Sequence, residues 1–105
     1  MFEYPAKLVR VVDGDTLKLE IDVGFNITRR EASYRLLRIN APEMNTPEGQ
    51  KAKTALEDYL RGKALVVQTF KSDSFGRYLI ECRANGESVN DWMVQSGFAQ
   101  YHTYS

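Results

Sequence analysis

The chemistry-bearing residues of this 105-residue chain fall in three segments. Asp13-Gly14-Asp15-Thr16 sets two carboxylates around a glycine. Carboxylates are hard oxygen ligands, and a glycine lets backbone approach an ion closely. The same tripeptide is also an ordinary turn, because glycine tolerates positive φ and aspartate caps turns. Arg35-Leu36-Leu37-Arg38-Ile39-Asn40-Ala41-Pro42-Glu43 places a guanidinium and a carboxylate either side of a strand end. A guanidinium holds two phosphate oxygens in a planar fork, and a carboxylate can take a proton from an attacking water. The plainer reading makes Arg35 a surface strand residue and Glu43 a solvated loop acid. Asp73-Ser74-Phe75-Gly76-Arg77 brings a further arginine in after a glycine turn, where a simple hairpin would look the same.

The elements that position these groups follow from periodicity. Lys7 to Val12 reads as a strand. Asp15 to Val23 alternates, with Leu17, Leu19 and Ile21 on one face and Lys18, Glu20 and Asp22 on the other. After Gly24-Phe25-Asn26, a third strand over about 27–39 is long enough to require a bend or bulge. Thr46 is a good N-cap, Pro47 suits the first helical position, and Ala52, Ala55, Leu56, Tyr59 and Leu60 form one apolar stripe. Gly62 stops that helix. Strands over 64–70 and 77–82 follow, then the Asn85-Gly86 turn and a short helix from Val89 to Gln95 with Val89, Met93 and Trp92 inward. The order β-β-β-α-β-β-α is that of a five-stranded OB-fold barrel, mainly β with α.

Composition bounds the rest. One domain spans 1–105, since the length suits a single core. No run approaches the roughly 20 apolar residues of a membrane span, and no signal peptide is visible, so an intracellular protein or removal of a leader is expected. Fourteen basic and fourteen acidic residues cancel, so any polyanion must be met by local positive charge. Arg29, Arg30, Arg35 and Arg38 fall close together and could form such a patch. The lone Cys82 excludes an internal disulfide and reads as a buried thiol. His102, the sole histidine, is assigned no role in chemistry.

Taken together, VVDGDTLKL, RLLRINAPE, PEGQKAKTAL, FGRYL and VNDWMVQSGFA resemble the staphylococcal nuclease (thermonuclease-like) family in order and, apart from a longer connection between Asp15 and Arg35, in spacing. The resemblance covers about Leu8 to Gly97. It implies a calcium-dependent endonuclease acting on DNA or RNA and leaving 3′-phosphate ends. Asp15 then matches the principal calcium ligand, the Ala41 carbonyl joins the shell, and Asp13 stands behind them. Glu43 matches the general base, and Arg35 and Arg77 clamp the scissile phosphate. Asn40 departs from the pattern, standing where the best-studied members carry an aspartate. A neutral amide oxygen holds calcium less tightly and could shift the preference to another divalent ion. Ser74 and Phe75 replace a lysine and a tyrosine, though Phe75 could still stack on a base. Tyr101 and Tyr104 lie near where the family has nucleotide-contacting tyrosines. A monomer with a nucleic-acid substrate and no membrane contact is expected. The alternative is a catalytically weak or inactive OB module that binds nucleic acid or protein.

Overall fold

The computed structural model describes residues 3–24, 28–72 and 78–102. Alternation decides the first hairpin. β1 (Tyr4–Asp13) and β2 (Thr16–Asp22) pair antiparallel, and Leu17, Leu19 and Ile21 are all buried. β3 (Thr28–Leu36) pairs with β2 on its other side and sends Tyr34 and Leu36 into the same core. β5 (Leu65–Ser72) pairs with β1, β6 (Tyr78–Ala84) pairs with β5, and β6 then runs parallel to β3 from Tyr34↔Tyr78 to Leu36↔Ile80. That last pairing closes a five-stranded mixed barrel in the cyclic order β1-β2-β3-β6-β5. Closure removes the exposed edges an open sheet would present.

The third strand differs from its expected course. It ends at Leu36, and Ile39–Asn40 forms a separate short strand, β4. Between them Arg38 adopts φ 71°, a left-handed conformation uncommon for a residue with a side chain. β4 pairs not with the barrel but with β8 (Gln100–Tyr101), as Ile39↔Tyr101 and Asn40↔Gln100. The aromatic tail is therefore an element that shapes the Asn40 segment.

Helix α1 (Pro47–Leu60) starts as its sequence dictates. Thr46 is extended, and its hydroxyl accepts the Gly49 N–H at 3.1 Å. Ala52, Leu56 and Leu60 are buried against the barrel, while Tyr59 is half-buried. Gly62, at φ 75°, takes the chain out of the helix. Asn85 and Gly86, both at positive φ, join β6 to the short β7 (Glu87–Ser88), which leads into α2 (Val89–Gln95). Val89 and Met93 face inward as expected. Trp92 is instead half-buried between Tyr59, at 3.9 Å between centroids, and Phe98, at 6.0 Å. Cys82 is buried, and burial pushes its thiol up to about 12, far from reactive.

Candidate active site

The β1–β2 turn brings the first carboxylates. Asp13 Oδ1 accepts the Asp15 N–H at 3.0 Å, the turn-capping bond its sequence suggests. Gly14 serves a different purpose from the expected one. Its φ is not positive; space is what it supplies. A Cβ there would lie 2.7 Å from Ala41 Cβ and 2.8 Å from Ala52 Cβ. The missing side chain lets the carboxylate turn lie against both the Asn40–Ala41 segment and helix α1.

Asp15 is held on both oxygens. Oδ1 accepts the Thr16 hydroxyl at 3.1 Å and Oδ2 the Ala41 N–H at 2.9 Å. Its carbonyl accepts Leu36 N–H at 2.7 Å, locking the turn to the end of β3. Burial, with the Asp13 carboxylate beside it, raises the Asp15 pKa to about 6, against the opposing Ala41 N–H and Arg35 charge.

Arg35 leaves β3 opposite Thr16. Its Nη2 donates to the Ile39 carbonyl at 3.0 Å and to Asn40 Oδ1, and lies 3.8 Å from Asp15 Oδ2. One cationic nitrogen thus sits among three oxygens from two chain segments. Glu43 follows three residues after Asn40, with its side chain on the surface. The Glu43 carbonyl accepts both the Thr46 N–H at 3.0 Å and the Thr46 hydroxyl at 2.6 Å. A Cβ on Gly49 would fall 1.9 Å from that carbonyl oxygen. Thr46 therefore caps the helix and pins the Glu43 loop at once, and Gly49 leaves the loop room to dock. Asp13, Asp15, Arg35, Asn40, Glu43 and Met44 line one polar cleft of about 450 Å³.

Much of the chain matches a known family model. The staphylococcal nuclease homologue model covers residues 33–105, which hold Arg35, Asn40 and Glu43. The chain belongs to the staphylococcal nuclease family. It is 34% identical over 102 residues to an uncharacterized endonuclease of Escherichia coli, covering 92% of this chain and 63% of that protein. It is 30% identical over 79 residues to a probable staphylococcal-like nuclease of Oryza sativa subsp. japonica, covering 74% of this chain and 22% of that protein. Protein ParB of Escherichia coli is 29% identical over 106 residues, with 92% and 56% covered. The chain thus spans under two thirds of the length of these relatives.

Within this family member, Asp13, Asp15, Arg35, Asn40, Ala41 and Glu43 come together as expected around one cleft. Arg77, Phe75 and Tyr104 lie outside the described residues, as do the side chains of Arg29 and Arg30. Tyr101 donates its hydroxyl to Asp91 at 3.0 Å, on α2. Arg38, grouped by sequence with a possible cationic patch, is committed elsewhere. Its guanidinium meets Glu81 at 2.8 and 3.0 Å and Asp91 at 3.4 Å. Those carboxylates are placed by Ser88, whose hydroxyl donates to Glu81 and caps α2.

Asn90 went unremarked in the sequence. It is wholly buried, accepts the Cys82 N–H at 3.0 Å, and donates to Leu37 O at 2.8 Å and Ile80 O at 3.1 Å. It thereby ties the β3–β4 corner to β6, joining the Ile80 carbonyl that also accepts the Leu37 N–H at 2.8 Å. Its signal was a polar residue between inward-facing Val89 and Met93 in a short helix.

The donor atoms fit a hard divalent cation in kind. They are oxygens, and three of them already surround a positive nitrogen. They are sparse in charge. Among the described residues no three acidic, histidine or cysteine side chains converge.

Proposed function

We propose that this chain hydrolyses phosphodiester bonds of nucleic acid with one divalent cation, calcium by preference, held by Asp15, Asn40 and the Ala41 carbonyl with Asp13 behind them. The observation that carries this reading is the convergence of Asp15, Arg35, Asn40 and Glu43 on one cleft from three separate segments. Family membership and nuclease-named relatives support it.

The phosphodiester is already negative and gains charge as water adds. A bound cation supplies electrostatic stabilisation of that developing charge. Arg35 offers a fixed guanidinium from the rim of the same cleft, and Arg77 is assigned the matching role by correspondence with the family. Glu43 accepts the proton of the attacking water. Its backbone is fixed by Thr46, so the carboxylate works from a set origin rather than a loose loop.

Asn40 favours a second reading, a weak or inactive module that binds without cutting, because a neutral ligand leaves the cation less tightly held. One experiment separates the two. Cleavage of single- and double-stranded DNA and of RNA is measured with calcium, magnesium, manganese and EDTA, for wild type and Glu43→Gln. Hydrolysis that EDTA abolishes and Glu43→Gln lowers by about 10²-fold or more is expected. Full activity in EDTA, or none lost in the variant, overturns the mechanism. Binding without cleavage in every metal establishes the module.

A further inference from the structure

A second cavity adjoins the cleft. Helix α2 ends at Gln95, and Gly97, at φ 84°, turns the chain back on itself. The Phe98 and Ala99 N–H groups both donate to the Met93 carbonyl, at 2.9 and 3.1 Å, and Ala99 is buried. The chain then enters β8, where Gln100 lies opposite Asn40. Residues opposite each other in an antiparallel pair project from the same side of the ladder. Phe98, Gln100 and the Asn40–Ala41–Pro42 segment line a cavity of about 300 Å³. That size is at the lower end for small-ligand sites.

The two cavities divide by charge. Asp13, Asp15, Arg35 and Glu43 line the cleft. Among the described residues, the neighbouring cavity has no charged side chain in its lining. It offers apolar surface from Pro42 and Phe98 and two amides, from Asn40 and Gln100. An amide both donates and accepts hydrogen bonds. Phe98 is half-buried with its ring 6.0 Å from that of Trp92, so the packing of α2 holds it in place. Gln100 is exposed, and among the described residues its side-chain amide makes no hydrogen bond. A phosphate would find no partner for its charge in such a place. A flat, uncharged ring with polar edges finds partners for both its faces and its edge. Asn40, Ala41 and Pro42 belong to both linings, so one wall separates such an occupant from a phosphate held at Arg35. A nucleobase stands one sugar away from its phosphate, which matches a wall one chain segment thick.

We propose that the cavity lined by Pro42 and Phe98 receives the base of one nucleotide flanking the scissile phosphate, with Gln100 hydrogen-bonding its polar edge. The proposal rests on the nuclease reading and adds to it where one base of the substrate goes. Phe98 offers an aromatic surface that tolerates any base. Gln100 adds a contact to the base edge that a bare sugar cannot make. A base seated there is unpaired and unstacked.

The test uses short single-stranded DNA oligonucleotides in the divalent cation that best supports cleavage. An abasic residue is placed at each position in turn, and the cut is mapped on every product. Wild type is expected to lose about tenfold in kcat/KM when the abasic residue occupies one particular flank of the cut, the scale of one stacked base. Gln100→Ala should lose about fivefold on intact strands, the scale of one hydrogen bond. That loss should disappear on strands already abasic at the same flank, because the variant and the missing base remove one and the same contact. Gln95→Ala, at an exposed glutamine of α2 outside both linings, should match wild type on every strand. A Gln100→Ala loss equal on intact and abasic strands, or absent from both, overturns the subsite while wild-type cleavage leaves the nuclease reading standing. An abasic residue tolerated at both flanks does the same, as does a Gln95→Ala effect as large as that of Gln100→Ala. Wild type that cleaves no strand in any divalent cation overturns the subsite and the nuclease reading together.

Discussion

Arg35 and Arg38 are three positions apart, yet the fold gives them opposite duties. Arg38 meets two carboxylates, with Glu81 engaged by two of its nitrogens, and the shortest contact is 2.8 Å. Arg35 donates the hydrogen bonds described for it to neutral oxygens, Ile39 O and Asn40 Oδ1, and its nearest described carboxylate, Asp15, is 3.8 Å away. Charge matched closely by carboxylates serves structure, because the pair is already satisfied. Arg35 forms a longer ion pair, with Asp15, and is oriented by neutral acceptors at the lining of the cleft. The left-handed Arg38 backbone makes the difference possible. It turns the chain between the two side chains, sending one to the cleft and the other to α2.

Substitution should divide the two arginines by their effect on kcat. Arg35→Gln is expected to lower kcat by roughly 10²- to 10⁴-fold, the scale of losing an oriented group that stabilises transition-state charge, and also to cost stability, since its side chain is 12% exposed and that of its Asp15 partner 14%. Arg38→Gln should do the reverse in order of cause. It leaves Glu81, whose side chain is only 14% exposed, without its cation, and costs about 2 kcal/mol after allowance for the half-exposed arginine. Any fall in activity should then follow from a loosened β4–β8 pair. Denaturant melts and single-turnover rates on both variants check this, and equal effects on both axes would erase the distinction.

The Asp15 carboxyl sharpens the same point through pH. Its pKa in the fold, about 6, lies above the ordinary 3.8. A raised carboxyl favours folding while protonated. That contribution is complete below about pH 4 and is lost as pH rises through about 6. In EDTA, wild type should therefore lose about 2–3 kcal/mol relative to Asp15→Asn between those limits. Calcium should restore stability to wild type above pH 6 and do little for the variant. Melting curves from pH 4 to 8, with and without calcium, decide it; a flat difference would mean Asp15 is not strained by burial.

The smallest effect is expected at Asn40. Asn40→Asp should tighten calcium by about tenfold, since a carboxylate replaces a neutral ligand, and should add a second carboxylate to the Arg35–Asp15 ion pair. Calorimetric titration measures the first. No change in affinity would remove position 40 from the ion's shell.

Much of this was legible in the residues themselves. Alternation in Leu17, Leu19 and Ile21 marks a half-buried strand whatever its partners, and Thr46-Pro47 starts a helix from local hydrogen bonding and fixed φ. Asp15, Arg35 and Glu43 were legible as candidates, because side-chain chemistry is carried by residue type, and the family resemblance singled them out. Other features depend on what lies opposite. Gly14 and Gly49 look like turn and helix residues until Ala41, Ala52 and the Glu43 carbonyl are seen to occupy the space of their missing Cβ atoms. Asn90 is one more polar residue until Cys82, Leu37 and Ile80 present it with backbone groups.

By itself, then, the sequence determined the local elements and which residues could do chemistry, since both follow from neighbours within a few positions. Which arginine reaches the cleft was decided only by the tertiary structure. That outcome turns on a reversal at Arg38, on the β4–β8 pair and on carboxylates 43 and 53 positions away in the chain, contacts no local rule can supply.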